Sequence, residues 1–344
     1  MDAVTHALLG AQAVQLRGDR LGARERLLLG AAAAAFPDID FVGFAVDPLR
    51  FLAHWHQGPT HSLLLLPAWA ALLGALYCTL ARRRGAFGDA TLIAALGLAT
   101  HIALDVITAY GTKLLYPLSQ RRLGLGITFV VDPLFTALAA AALVAGLRCG
   151  RRYAIAGLFL LLAYVALQAL LQRRALELAS ASLPNAERID AIAQPFSPFN
   201  WKLIVDYGEH YQVAHVNVAG HAAPLPRRLG LEPWSTLAHA YLPPRSVEWR
   251  QRHRFGAEPN SVQLARELWA RPEFEPFRLF AVHPALSRVD EGEDRRCVWF
   301  TDLRYDLPAL PDTFRYGFCQ QPPGAAWKLH RLRYLTRDAR QRLE

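Results

Sequence analysis

The sequence predicts a mostly α-helical, membrane-embedded bundle followed by a small α+β domain outside the bilayer. The chain has 344 residues, of which 53% are hydrophobic, and its mean hydropathy of +0.12 is high for a soluble protein and low for a chain made only of spans. Ala, Leu, Gly and Val dominate residues 1–174, whereas residues 175–344 are rich in Pro, Arg, Glu and aromatic residues. His and Asp clusters stand at the ends of the apolar segments. We therefore predict a membrane domain over residues 1–174 and an extramembrane domain over residues 175–344.

Four apolar segments of the first domain approach the length needed to cross a membrane, which is about 20 mostly apolar residues. They are residues 62–81, 90–107, 129–147 and 153–171. The shorter apolar segments 3–16 and 27–36 predict a helical hairpin, which either dips into the bilayer or packs as an ordinary buried hairpin. The predicted bundle therefore has about four spans plus this hairpin.

Arginine clusters between the apolar segments predict the orientation of the bundle. Alternating the segments brings these clusters to one side, which should be cytoplasmic because basic loops tend to stay inside. The clusters are Arg17, Arg20, Arg24 and Arg26; Arg82, Arg83 and Arg84; and Arg148, Arg151 and Arg152. The same alternation places the His and Asp clusters on the opposite face. We predict a multi-pass protein of the bacterial inner membrane with these clusters and the C-terminal domain outside the cytoplasm.

The charge balance favours lipid over nucleic acid as a partner. The net charge of +9 comes mainly from arginines that lie between apolar runs, an arrangement typical of topology signals and of contact with anionic lipid. The sequence carries no nucleic-acid-binding motif, so we expect no nucleic-acid partner.

The second domain reads as an antiparallel sheet with a short helix. Strand-like alternation covers residues 201–206, 211–218, 298–305 and 327–334, and a helical pattern covers residues 261–270. Cys297 and Cys319 fall in this domain. They either pair in an oxidising compartment or remain free thiols, and the sequence leaves both possibilities open.

Two pairs of ionisable residues have the spacing of neighbours on one helix face. Asp2 and His6 are four residues apart, as are His101 and Asp105, so each pair projects from one face, one turn apart. Charged groups on apolar helices are costly and usually functional. Such a pair either binds one metal or lets one residue orient the other.

Two further clusters supply carboxylates and imidazoles. Asp38 and Asp40 follow an Ala-rich helix and a proline, which predicts either an oxygen-rich metal site or a capped helix end. His54, His56 and His61 lie within eight residues just before an apolar segment, a density that indicates ligation or acid–base chemistry.

Imidazole and carboxylate together are ligands for zinc and similar divalent metals. We therefore predict one or two divalent ions, zinc being the first choice. The predicted ligands are Asp2, His6, Asp38, Asp40, His54, His61, His101 and Asp105. The predicted catalytic groups are His56, His61 and Asp40, and Thr60 and Asp132 are expected to orient ligands. For Asp132, ligation and helix capping are equally compatible with the sequence.

Three basic residues follow the last ligand pair. Lys113, Arg121 and Arg122 can hold an anionic substrate, although anchoring to lipid headgroups explains them nearly as well. They lie on the predicted outer side and count against the orientation given above.

These motifs, in this order, resemble the YdjM-like family of LexA-regulated, inner-membrane-associated, predicted metal-dependent hydrolases. The matching pieces are Met1-Asp-Ala-Val-Thr-His, Phe36-Pro-Asp-Ile-Asp, Gly58-Pro-Thr-His-Ser, the run from His101 to Thr112, and Val131-Asp-Pro-Leu. The resemblance covers about residues 1–135 and implies a metal-dependent hydrolase. A more distant similarity, through Gly97-x3-His101-x3-Asp105, is to zinc-dependent phospholipase C and implies lipid or phosphoester substrates.

The sequence thus favours a membrane-bound hydrolase that uses metal-activated water on a lipid or phosphoester. The alternative is a non-enzymatic membrane protein with a structural metal, acting in envelope assembly or stress response. A transporter is less favoured, because its ionisable groups should lie near mid-membrane and these lie at helix ends.

Overall fold

The computed structural model describes residues 1–16, 21–220, 239–308, 310–334 and 336–343. Arg17 and Arg20 of the first predicted basic loop lie outside the described residues. The chain divides into two compact units. The first contains Met1–Val46, His54–Leu170 and Ala193–Pro198, and the second contains Asp47–Ala53, Leu171–Ile192 and Phe199–Glu344. The predicted boundary between residues 174 and 175 stays a prediction.

Helices dominate the N-terminal half of the chain, and two further helices lie in the C-terminal half. The helices are α1 (Ala3–Val14), α2 (Ala23–Ala35), α3 (Val42–Val46), α4 (Pro48–Arg50), α5 (Leu66–Leu80), α6 (Phe87–Val106), α7 (Pro133–Cys149), α8 (Arg151–Ser182), α9 (Pro259–Ala270) and α10 (Glu275–Phe280). Several of them are connected by two tight 3₁₀ turns, Phe36–Phe41 and Pro59–His61, and by the wider π-helical turn Phe51–Trp55. This agrees with the predicted helical character of the membrane domain.

Three helical stretches are long and apolar enough to cross a membrane. They are Ala23–Val46, Arg84–Val106 and Arg151–Ser182, and the pair Pro48–His61 with Leu66–Leu80, bent by 69°, would be a fourth. The stretch Ala23–Val46 was predicted only as a short arm of a hairpin. It is longer than predicted because the turn Phe36–Phe41 joins α2 to α3 without a gap. Conversely, α7 covers the third predicted span with only 17 residues. The exact number of spans stays a prediction.

Small residues let three helices of the first unit approach one another closely. A Cβ added to Gly97 of α6 would lie 2.7 Å from the carbonyl oxygen of Gly30 in α2, and a Cβ on Gly10 of α1 would lie 2.4 Å from that same oxygen. Both distances are far below ordinary contact. Glycine is therefore needed at these two positions, as is common where helices cross in membranes.

This close crossing places two histidines side by side. His6 lies one turn before Gly10 on α1, and His101 lies one turn after Gly97 on α6. Their rings stack with centroids 3.7 Å apart. The small residues thus bring together the faces of α1 and α6 that carry His6 and His101.

The second unit is rich in β-structure, as the sequence predicted. Its strands are β1 (Arg188–Ala193), β2 (Asn200–Asp206), β3 (His210–Asn217), β4 (Arg250–His253), β5 (Pro284–Glu291), β6 (Arg296–Asp302), β7 (Tyr316–Gln320), β8 (Lys328–Leu332) and β9 (Arg340–Arg342). They form two sheets, β1-β2-β3-β4 and β5-β6-β7-β8-β9. The predicted strand segments coincide with β2, β3, β6 and β8, and α9 covers the predicted helix.

Adjacent strands of the second sheet hold a disulfide. Cys297 of β6 and Cys319 of β7 are direct partners in the antiparallel register and are bonded to each other. The sequence left this pairing open, and the register decides it because it places the two Cα atoms 4.1 Å apart.

Candidate metal centre

Four side chains of the first unit converge on one small volume. One ligand atom from each of Asp38, His61, His101 and Asp105 lies within 4.8 Å of the others. The last three side chains are buried, whereas the Asp38 side chain keeps 23% exposure. We call these four residues the donor cluster.

Each member of the donor cluster is held by a short, defined piece of backbone. His101 and Asp105 lie one turn apart on α6, as their spacing predicts. Asp38 lies in the turn Phe36–Phe41, which Pro37 opens directly after α2. His61 ends the turn Pro59–His61.

The carboxylate of Asp105 is the centre of the arrangement. Its Oδ2 atom lies 3.2 Å from Nε2 of both His61 and His101, and these two nitrogens are 3.0 Å apart. Asp38 Oδ1 lies 3.9 Å from the first nitrogen and 3.8 Å from the second. The two imidazole nitrogens therefore face each other and two carboxylates, as nitrogens around a shared cation would.

The far nitrogens of these histidines determine which nitrogen is free to bind a metal. His101 Nδ1 lies 2.6 Å from the carbonyl oxygen of Ala34, which can only accept a hydrogen bond, so Nδ1 carries the hydrogen. His61 Nδ1 lies 2.9 Å from the Thr60 hydroxyl. In its neutral form His101 thus turns an unprotonated Nε2 toward the donor cluster, which is the tautomer that a metal ligand needs.

His6 borders the donor cluster on the other side of Asp105. Its Nε2 lies 3.2 Å from Asp105 Oδ1, yet neither ring nitrogen makes a well-aligned hydrogen bond, and the side chain is fully buried. The amino group of Met1 contacts the same carboxylate oxygen. Most buried imidazoles have well-aligned partners for their ring nitrogens, and a metal would supply one here.

Asp40 and His56 form a separate pair beside the donor cluster. His56 Nδ1 lies 3.1 and 3.2 Å from the two oxygens of Asp40, and Asp40 Oδ2 is 3.7 Å from Nδ1 of His61. A carboxylate that orients an imidazole is a common acid–base arrangement. Asp40 and His56 thus lie next to His61 but outside the donor cluster, to which His61 belongs, and the catalytic roles of all three stay predictions.

Two other predicted site residues are helix caps. The Asp2 carboxylate accepts hydrogen bonds from the backbone N–H groups of Val4 and Thr5 and from the Thr5 hydroxyl. Asp132 caps α7 in the same way, and its second oxygen accepts a 2.7 Å hydrogen bond from the Tyr164 hydroxyl. Neither belongs to the donor cluster, and ligation by Asp2 stays a prediction.

His54 and the basic residues predicted to bind substrate lie around the segment that carries His56. His54 is half-buried, and its carbonyl oxygen accepts a 3.0 Å hydrogen bond from Lys113 Nζ. Arg122 donates to the carbonyl oxygen of His56 and lies over the ring of Tyr110, whereas Arg121 is exposed. Burial, followed by the nearby Arg122 charge, lowers the pKa of Lys113 to about 8. Roles for these residues in ligation and substrate binding stay predictions.

All the candidate site residues described above lie in the part of the chain that matches a known protein family. A family model described as YdjM inner membrane protein matches residues 1–175, which is half of the chain. The chain belongs to the YdjM inner membrane protein family. The resemblance seen in the motifs is therefore confirmed, and the chain is a membrane protein. Searches of curated proteins and of solved structures returned no match.

Sequence reasoning missed one residue in the YdjM region. Gln57 donates through Nε2 to Asp105 Oδ2 at 2.9 Å, and its backbone N–H donates to Asp40 Oδ2 at 3.1 Å. It therefore touches both the donor cluster and the Asp40–His56 pair. The available signal was its position directly between His56 and Gly58, but a glutamine is neither a usual zinc ligand nor a usual base.

Proposed function

We propose that this YdjM-family protein is a metal-dependent hydrolase of the membrane. The observation that carries the proposal is the donor cluster: two imidazoles and two carboxylates, three of them buried, converge on one small volume. The donor types favour zinc, with one ion in the cluster and His6 with Asp105 Oδ1 as the place for a second. A bound metal of this kind lowers the pKa of water and draws charge from an attacked ester.

The residues of the chain supply the proton handling in this proposal. Hydrolysis adds water across an ester bond: the hydroxyl joins the phosphoryl or acyl group, and a proton goes to the departing alcohol. His56 is the group that moves this proton through Nε2, and Asp40 holds its ring in place at Nδ1. His61 and His101 are reserved for binding the metal.

Apolar surface beside the donor cluster supports an amphiphilic substrate. Asp38, the exposed member of the cluster, is flanked in the same candidate span by Ile39, Phe41 and Val42, which are 58%, 53% and 70% exposed. Trp55, next to His56, is 58% exposed. Apolar side chains around a polar site are expected where a lipid reaches the site from the bilayer. The substrate in this proposal is a lipid or another phosphoester.

Two observations support an extracytoplasmic location for the metal centre and the second unit. Disulfides persist in oxidising compartments, and the second unit contains the Cys297–Cys319 bond. The arginine-rich loops fall on the opposite side of the predicted bundle. The test is labelling of spheroplasts with an impermeant maleimide: a cysteine in the exposed β5–β6 turn (Asp294→Cys) should react, and the exposed Cys149 should react only after lysis. The reverse pattern would overturn this orientation.

One observation favours the alternative of a structural metal. Four protein donors around one point resemble a closed structural zinc site, whereas catalytic sites keep a position open for water. Asp38 distinguishes the two, since it is partly exposed and is the most distant donor. If the site is catalytic, Asp38→Asn should retain most of the metal and lose turnover; if it is structural, the same variant should lose the metal.

Metal content is the measurement that tests the proposal first. Mass spectrometry of the detergent-purified protein should find at least one equivalent of metal in the wild type and little in His61→Ala or His101→Ala. His330→Ala is the matched control, because His330 lies on β8 of the second unit. A metal-loaded wild type should then be screened against fluorescent phospholipids and soluble phosphodiesters. Wild type without metal after reconstitution would refute the mechanism.

A further inference from the structure

Gln57 occupies a position that joins the two halves of the site. Its side chain is 5% exposed, and its Nε2 donates to Asp105 Oδ2, the oxygen that also faces Nε2 of His61 and His101. Its backbone N–H donates to Asp40 Oδ2, on the carboxylate that holds His56. A single residue thus contacts one carboxylate of the donor cluster and the carboxylate of the acid–base pair.

The amide of Gln57 has only one productive orientation. The hydroxyl of Thr112, itself fully buried, donates to Gln57 Oε1 at 3.1 Å. An ionised carboxylate can only accept hydrogen bonds, so the NH₂ group faces Asp105 and Oε1 faces the Thr112 hydroxyl. The backbone of Gln57 is held by the neighbouring residue Lys113, whose N–H donates to the Gln57 carbonyl oxygen at 2.9 Å.

The backbone of Gln57 is in a conformation that glutamine seldom adopts. Its φ is 53°, in the left-handed region, where a side chain is strained and glycine is preferred. Strained residues persist where the surrounding structure demands them, often at functional sites. Glycine would adopt this φ without strain. The turn itself therefore does not require a glutamine, and the contacts that need one are those of its side-chain amide.

We propose that Gln57 is a positioning residue that sets the Asp105 carboxylate for metal binding. Its amide N–H donates to Oδ2, the oxygen that lies 3.2 Å from Nε2 of both His61 and His101. Hydrogen bonds of this kind to ligating carboxylates fix ligand orientation and tune affinity. This inference rests on the proposed metal centre and adds a residue that does not itself bind the ion.

The experiment compares zinc affinity, by chelator competition in detergent, and the visible spectrum of the cobalt-substituted protein. Gln57→Gly should weaken zinc binding about 10- to 100-fold. It should also shift the cobalt absorption bands, because the ligand geometry changes, while thermal stability stays the same or rises, because glycine suits this φ. The matched control is Arg82→Gly, which relaxes the same φ of 53° at an exposed loop position and should leave metal binding unchanged.

A second variant keeps the inference testable if Gln57→Gly misfolds. Thr112→Val conserves shape, removes the hydroxyl that orients the amide and should weaken zinc binding in the same direction. Wild-type zinc affinity and cobalt spectra in both variants would refute the positioning role alone. Absence of metal in the wild type would refute the metal centre and the positioning role with it.

Discussion

A close helix contact beside the site offers a sharp test of how the fold positions the candidate metal ligands. In Gly97→Ala, the new Cβ on α6 would lie 2.7 Å from the Gly30 carbonyl oxygen and 2.9 Å from Ala33 Cβ, against 3.4 Å or more for an ordinary contact. Neither neighbour can rotate away, because one is a backbone oxygen and the other is a Cβ atom fixed to the backbone. The helices α2 and α6 must therefore separate by roughly 0.7 Å.

That separation acts directly on His101, a proposed metal ligand. His101 lies one turn from Gly97, and its Nδ1 is bound to the Ala34 carbonyl oxygen of α2 at 2.6 Å. Moving α6 by roughly 0.7 Å lengthens this bond to about 3.3 Å, beyond the useful range of an N–H···O hydrogen bond. We expect a loss of about 1–3 kcal/mol in the free energy of unfolding from overpacking, and a loss of zinc affinity of about tenfold or more.

The assay is thermal unfolding and zinc competition on the detergent-purified variant. Gly88→Ala is the matched control, because Gly88 lies on the same helix and a Cβ there meets nothing within 4 Å. The control should keep wild-type zinc affinity and unfold at or slightly above the wild-type temperature, because alanine favours the helix more than glycine does. If Gly97→Ala also binds zinc with wild-type affinity and unfolds at the wild-type temperature, the close crossing does not position His101 and the reasoning fails.

Three further predictions concern groups away from the donor cluster. Asp132→Ala should cost about 1 kcal/mol of unfolding free energy through the lost cap of α7 and leave metal content unchanged; loss of the metal would instead make Asp132 a ligand. Asp302→Asn should cost about 3–5 kcal/mol, because it leaves the buried Arg304 guanidinium, bound at 2.8 Å, without its counter-charge; calorimetry would show this, and an unchanged unfolding temperature would contradict it. Burial, followed by the charges of Lys202 and Arg250, lowers the pKa of His215 from 6.5 to about 3. Between these two pH values the unfolded chain therefore binds a proton at His215 that the folded chain does not bind. Stability should fall as the pH drops from 6.5 toward 3, by at most about 1.4 kcal/mol per pH unit, and His215→Leu should flatten this slope in tryptophan-fluorescence unfolding; an unaltered slope would refute the assignment.

Much of the N-terminal architecture could be predicted because it depends on local patterns. Apolar stretches indicated the helices, and the four-residue spacing of His101 and Asp105 correctly placed both on one face of α6. The length of Ala23–Val46 was missed, because the proline in Phe36–Phe41 suggested an end where a tight turn in fact continues the helix.

The choice among the candidate ligands could not be predicted from local patterns. Asp2 and Asp38 both lie at helix ends in apolar surroundings, and a carboxylate there serves equally well as a cap or as a ligand. Only the fold shows that Asp2 caps α1 while Asp38 reaches the donor cluster. The contact of Gln57 with the donor cluster could not be predicted for a similar reason, since its partner Asp105 is 48 positions away in the chain.

The sequence by itself determined the residue types of the site, the membrane character of the first domain and the family, because these depend on composition and on short spacings. The tertiary structure alone decided which four side chains meet, which carboxylates serve as caps and which cysteines pair. Those outcomes depend on how closely α1, α2 and α6 pack and on the register of β6 against β7, and both are set by contacts between residues far apart in the chain.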